Sequence, residues 1–186
     1  TDVKAWTTDL NGQWDMGRIF LYESGNNPAL LLFTPRLHMM LLAILFGWLF
    51  FIWVRSRYGA RVALLALFFF CFSPTFIAHS RYVTTDLAAA FAFFIGITTY
   101  IAFLERPTWK RTLVAGAALG IALLLKFSTA LLLPLYFMYA VLWVFVSTWR
   151  FNLQVRWFRA IGDAVAAFVG LIPKFLLLFV VAAGVI

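Results

Sequence analysis

The sequence predicts an all-α protein built as a polytopic bundle of transmembrane helices. Three observations carry that prediction. The 186-residue chain is 65% hydrophobic and 12% charged, whereas a soluble domain is about half apolar and about a quarter charged. Its mean hydropathy is +0.95, more apolar surface than a soluble core of this length can hide. The apolar residues also fall into runs near the length that crosses a bilayer, about 20 residues, separated by short basic loops.

Residues 1–36 are polar, with Trp6, Trp14, Phe20 and Tyr22 scattered through them and a turn-forming cluster, ESGNNP, near their end. They read as a non-cytoplasmic loop whose aromatic residues lie at headgroup depth. Residues 37–186 read as the transmembrane bundle. Its spans are expected near 37–54, 62–79, 86–104, 112–125, 127–148 and 161–186, about six in all. Lys126 interrupts the apolar run 112–148, so two spans are expected there rather than one. Gly116 and Gly120 give the small-xxx-small spacing that lets helices approach closely.

The net charge of +8 is explained by topology. Arg55, Arg57 and Arg61 fall in one loop, Arg106, Lys110 and Arg111 in the next but one, and Arg150, Arg156 and Arg159 in the next but one again. The opposite loops hold Arg36, Arg81 and Lys126. Basic residues mark cytoplasmic loops, so residues 1–36, the HSRYVTTD turn and Lys126 are expected on the outer face. No basic stripe with interleaved aromatics is present, which argues against a nucleic-acid partner. Cys71 is the sole cysteine, so no intrachain disulfide forms, and no Cys/His spacing suggests a metal centre. The chain opens without Met and ends inside an apolar run; it reads as part of a longer membrane protein.

Against this background Asp86 stands out. It follows Thr84 and Thr85 at the start of an apolar run. A carboxylate there caps a helix and suits its dipole; a carboxylate at a membrane edge also acts on substrates. The two readings are compatible. Arg81 and Lys126 snorkel to lipid headgroups or bind a phosphate, Arg by its fork and Lys as a point charge. Arg36, after Pro35, is an anchor or a third such cation. His79 is an interfacial residue or a ligand. Asp163 and Lys174 lie within the last apolar run and receive no role. A carboxylate can serve as base for a hydroxyl, and cations can stabilise a departing phosphate. Asp86 and the cations Arg36, Arg81 and Lys126 supply both types of group. A divalent metal ion bridging phosphate to Asp86 suits the chemistry of a carboxylate without being demanded by it.

The ordered series Pro74, Ala78-His79, Val83-Thr84-Thr85-Asp86, Arg106-Pro107, Trp109, Arg111 and Lys126-Phe127-Ser128 resembles the membrane glycosyltransferases of family 39. These are the dolichyl-phosphate-mannose-protein mannosyltransferase-like proteins of GT-C fold, related to the aminoarabinose transferases. The resemblance covers most of residues 18–135. It implies a transferase that moves a sugar from a polyprenyl-phosphate carrier to a protein, lipid or glycan acceptor. It places the active face in the periplasm, on a bacterial inner membrane. Asp86 matches the family's acidic residue of the second outer loop, and residues before Arg36-Leu37 match the end of its first outer loop. Arg36, His79, Arg81 and Lys126 then become the residues expected to meet the lipid phosphate. The family's acidic pair early in the first outer loop has no counterpart here, since neither Asp9 nor Asp15 lies in that motif, so this stretch alone is not expected to catalyse. The rival readings are a transporter of an anionic solute, its path lined by Arg81, Lys126 and Lys174, and a non-catalytic membrane scaffold.

Overall fold

A computed structural model describes residue 4, residues 10–151 and, toward the C-terminus, residues 169–170, 173–174 and 176–185; for residues 147–151 it describes the backbone. Asp9, Arg156, Arg159, Asp163 and residues 161–168, the start of the expected 161–186 span, lie outside the described residues. The described residues are helical, with no strands among them. The chain divides into two compact units, Thr1–Thr84 and Thr85–Ile186.

The first unit begins with α1, Gln13–Arg18, which runs into a π-helical turn, Ile19–Glu23. Arg18 joins them by pairing with Asp15 and Glu23. The ESGNNP cluster then does two jobs. Gly25 takes φ +74, a conformation open to glycine, and the Asn27 side chain caps α2, Pro28–Tyr58, by accepting the Leu30 N–H at 3.2 Å. Pro28 occupies the first helical position, where its missing N–H costs nothing. The helix therefore starts at Pro28, ahead of the expected 37, because the cap and proline open it and the residues that follow, ALLLF, are apolar like the span itself. Gly59, at φ +87, ends α2, and α3, Ala60–Cys71, folds back along it.

After α3 the chain breaks at Phe72–Ser73, and Pro74 opens a separate helix, α4, Pro74–Arg81. The two axes bend by 59°. Proline cannot continue the hydrogen-bond ladder of α3, so the expected 62–79 span is a broken one. Phe70 and Phe76, on either side of the break, lie 4.3 Å apart, and both meet Phe46 of α2. Gly47 leaves room for this cluster: a Cβ there would stand 3.1 Å from the Phe70 ring.

The second unit opens with α5, Thr85–Glu105, followed by α6, Trp109–Leu125. Thr108 caps α6, accepting the Arg111 N–H at 3.4 Å. Arg111 in turn donates to the carbonyl of Ala102 at 2.6 Å, closing the last turn of α5. Thus the RPTWKR loop is built to end one helix and begin the next. Lys126 breaks the chain in an extended conformation, a 3-10 turn covers Phe127–Leu131, and α7 runs from Leu132 to Phe151. A short apolar helix, α8, spans Leu176–Val185.

The core of this unit lies between α5, α6, α7 and α8, with Tyr100, Phe103, Leu119, Leu132, Tyr136 and Leu178 sealed inside it. Tyr100 and Tyr136 stack at 3.8 Å with an interplanar angle of 6°. The Tyr100 hydroxyl donates to the Tyr136 carbonyl and the Tyr136 hydroxyl to the Gly96 carbonyl, each at 2.8 Å. Neither buried hydroxyl is left unmet. Gly116 and Gly120 face α8 so closely that a Cβ on either would meet a backbone carbonyl, of Leu178 or Ala182, at 2.7 Å.

Six spans were expected, and among the described residues the number is lower. Among the described residues, three helical stretches are long and apolar enough to cross a membrane, Pro28–Tyr58, Thr85–Glu105 and Phe127–Val146, or up to four if the bent pair α3 and α4 counts as one. The expected 112–125 span is a 17-residue helix, about 25 Å long and short of the usual apolar length. It also opens with two basic residues, Lys110 and Arg111.

Candidate functional site

Asp86 lies in the first turn of α5, where a carboxylate opposes the positive end of the helix dipole. Lys126 follows the last residue of α6. Its backbone is extended at φ −160, ψ 135. These two residues, 40 apart in sequence, meet in space: Lys126 Nζ donates to Asp86 Oδ1 at 2.7 Å. The side chains are 32% and 56% exposed, respectively. A pair this open is worth about 0.2–1 kcal/mol, so an anionic ligand reaching Lys126 can displace the carboxylate at small cost.

The elbow that presents Lys126 is held by a residue that sequence reasoning passed over. Thr129 is fully buried. Its Oγ1 is 2.6 Å from the Ala122 carbonyl and 2.6 Å from that of Lys126. The available signal was the hydroxyl pair Ser128-Thr129 in an apolar run just after Lys126, at the point where the apolar span breaks.

The other expected site residues belong to the first unit. Arg36 is exposed on α2, two turns past Pro28, and Arg81 is exposed at the last residue of α4. His79 is half-buried and its Nδ1 is 3.1 Å from the Thr84 hydroxyl. The structure therefore joins Asp86 with Lys126, and His79 with Thr84. The first unit also holds an apolar groove of about 450 Å³ between α2, α3 and α4, lined by Ile44, Gly47, Leu67, Phe70, Cys71 and Ser80 among others. Ser80, its polar member, immediately precedes Arg81.

A metal ion finds a poor set of donors in this arrangement. Among the described residues no group of three or more His, Cys, Asp or Glu side chains comes together, and Asp86 has a lysine on Oδ1. A divalent cation needs several oxygen ligands, so no step of the chemistry below is routed through one.

Long apolar helices, basic loops and a charged pair at the helix ends define an integral membrane protein. Residues 31–176 match the family described as dolichyl-phosphate-mannose-protein mannosyltransferase. The match covers well over half of the chain, and the chain belongs to that family, whose members are glycosyltransferases. No curated protein and no solved structure matches it.

Proposed function

We propose that the chain is part of a membrane glycosyltransferase that takes a sugar from a polyprenyl-phosphate carrier and places it on a hydroxyl-bearing acceptor at the outer face. The observation that carries this reading is the Asp86–Lys126 pair, an acid and a base side chain held 2.7 Å apart at neighbouring helix ends. In the reaction an acceptor hydroxyl oxygen attacks the anomeric carbon. The bond from that carbon to the phosphate oxygen breaks, and the polyprenyl phosphate leaves with the electron pair. Lys126 meets the phosphate and pairs with the charge it carries, in the bound donor as on departure. Asp86, released from Lys126 by the phosphate, faces the acceptor and takes the hydroxyl proton.

Arg36, Arg81 and His79 are assigned to the carrier in the same reading, supported by the exposure of the two arginines and the affinity of guanidinium for phosphate. The groove beside Ser80 is of the apolar chemistry that a prenyl chain requires. The outer, periplasmic placement rests on the asymmetry of basic residues among the loops, and the bacterial inner membrane on the motif resemblance.

The test is sugar transfer from a labelled polyprenyl-phosphate donor by the complete gene product in membranes, wild type beside Asp86→Asn and Lys126→Met. Both variants should accumulate normally and lose transfer, Lys126→Met mainly through a raised KM for the donor. Wild-type levels of transfer by Asp86→Asn would show that the carboxylate is only a helix cap.

A further inference from the structure

From the geometry of the break after α6 we infer that Thr129 is a positioning residue: its buried hydroxyl clamps the elbow at Lys126 and so sets where the Lys126 ammonium stands. The inference rests on the reading that Lys126 meets the donor phosphate.

An α-helix ends with carbonyls that have no partner within the helix. At the end of α6 the Ala122 carbonyl receives the Lys126 N–H at the long distance of 3.4 Å. The Thr129 hydroxyl reaches the same carbonyl at 2.6 Å and the Lys126 carbonyl at 2.6 Å. A hydroxyl has one proton to donate, so it is shared between the two oxygens. The Thr129 backbone N–H adds a bond to the Lys126 carbonyl at 3.0 Å. Lys126 is thereby held from behind by one residue, three positions on, through side chain and backbone together.

The surroundings show that this hydroxyl is not there for packing. Thr129 is fully buried, while Phe127 is 91% exposed and Ser128 is exposed. The turn is anchored at Thr129 and exposed over the two residues before it. Valine has the same shape and would suit an apolar interior; what it lacks is the donor.

Lys126 is thus fixed at both ends, its backbone by Thr129 and its ammonium by Asp86. A lysine side chain has four rotatable carbons and loses much freedom when ordered. When an anionic ligand takes the ammonium away from Asp86, only the anchor at Thr129 still defines its origin. Loss of the hydroxyl should therefore be felt in donor binding and in the accessibility of the amine.

The experiment uses the complete protein in native membranes with Thr129→Val, Thr129→Ser and Lys126→Met. One readout is the rate at which an amine-acylating reagent modifies Lys126, followed by peptide mass spectrometry. The other is KM against kcat for a labelled polyprenyl-phosphate donor. Thr129→Val should acylate severalfold faster at Lys126 and raise donor KM about tenfold, the size expected when a charge-assisted contact is misplaced. Its kcat should stay within about twofold of wild type, as for lost uniform binding. Thr129→Ser should restore both values, and adding Thr129→Val to Lys126→Met should raise KM no further. Should the valine variant fail to accumulate, Thr129→Ala removes the same donor with a smaller side chain. Unchanged acylation in the hydroxyl-free variants, or a full KM effect in the Lys126→Met background, would overturn the inference. If even the wild type transfers no sugar from any donor, the glycosyltransferase reading falls, and the acylation rates alone still decide the anchor: faster in Val and normal in Ser supports it, equal rates refute it.

Discussion

Removing the ring of Tyr136 should be the most damaging single change within the second unit's helix contacts. Tyr136 stacks on Tyr100 at 3.8 Å, and two hydroxyl-to-carbonyl bonds of 2.8 Å run in opposite directions between α5 and α7. Helices in lipid gain little from the hydrophobic effect, so packing and hydrogen bonds carry their association. Each carbonyl involved belongs to a helix and keeps its i+4 N–H. Tyr136→Phe or Tyr100→Phe therefore removes one bond without orphaning an acceptor, and each should cost about 0.6–1 kcal/mol. Tyr136→Ala removes the bond, the stack and the ring volume. Deleting a buried aromatic costs about 3–5 kcal/mol in water-soluble cores; the low end, about 3 kcal/mol, applies where lipid is the reference. A Cβ on Gly96 would stand 2.8 Å from Leu132 Cδ1 and 3.2 Å from the Tyr136 hydroxyl. Gly96→Ala should therefore cost about 1–3 kcal/mol and displace the hydroxyl that Tyr136→Phe deletes. The two changes together should fall short of additivity by about 0.5 kcal/mol or more. The assay is reversible unfolding of the complete protein in mixed detergent–dodecyl sulfate micelles, followed by tryptophan fluorescence. A Tyr136→Ala cost under about 1 kcal/mol, or strict additivity of Gly96→Ala with Tyr136→Phe, would refute the reasoning.

Further expectations concern the charged pair and the close helix contacts. Exchanging the charges, Asp86→Lys with Lys126→Asp, should cost about 1–2 kcal/mol, because the half-exposed pair is kept but a cation now sits at the start of α5, and should abolish sugar transfer; retained transfer would mean that the pair is only structural. Gly116→Leu and Gly120→Leu should each lower the thermal midpoint in detergent, since the added carbon meets backbone carbonyls that have no room to move; unchanged midpoints would show that α8 does not rest there. Arg111→Met should destabilise the α5–α6 turn by about 1 kcal/mol through loss of the bond to the Ala102 carbonyl, and Arg111→Lys should recover only part of this, as read by the same unfolding assay.

The all-α membrane character was legible because composition alone excludes a soluble core. Asp86 and Lys126 were legible as singular residues because charge is rare in such a chain. Their contact was not, since 40 residues separate them and only the packing of α5 against α6 brings the helix ends together. The start of α2 was written in Asn27-Pro28, a cap followed by a helix-opening proline; the polar residues around it and Arg36 concealed it. Pro74 was visible as a proline near the end of an apolar run, but the 59° bend depends on how Phe70 and Phe76 settle against Phe46. Tyr100, Tyr136 and Thr129 left almost no trace, because a hydroxyl inside an apolar run declares its partner only once the helices are packed. Arg111 read as one more basic loop residue, and its bond to the Ala102 carbonyl makes it the clasp of a turn.

The early start of α2 has a mechanical consequence. A helix of 31 residues is about 46 Å long, whereas the hydrocarbon layer is about 30 Å thick. With the apolar stretch 37–54 in the layer, the turns from Pro28 to Arg36 extend about 14 Å beyond it as a mast with Pro35 at its base. Residues 10–27 are then carried at a set height over the bilayer, joined to the tip of the mast through the Asn27 cap. Lengthening or shortening that mast by one turn would raise or lower everything ahead of Asn27 by about 5 Å, and rotate it little, without touching a residue within the membrane.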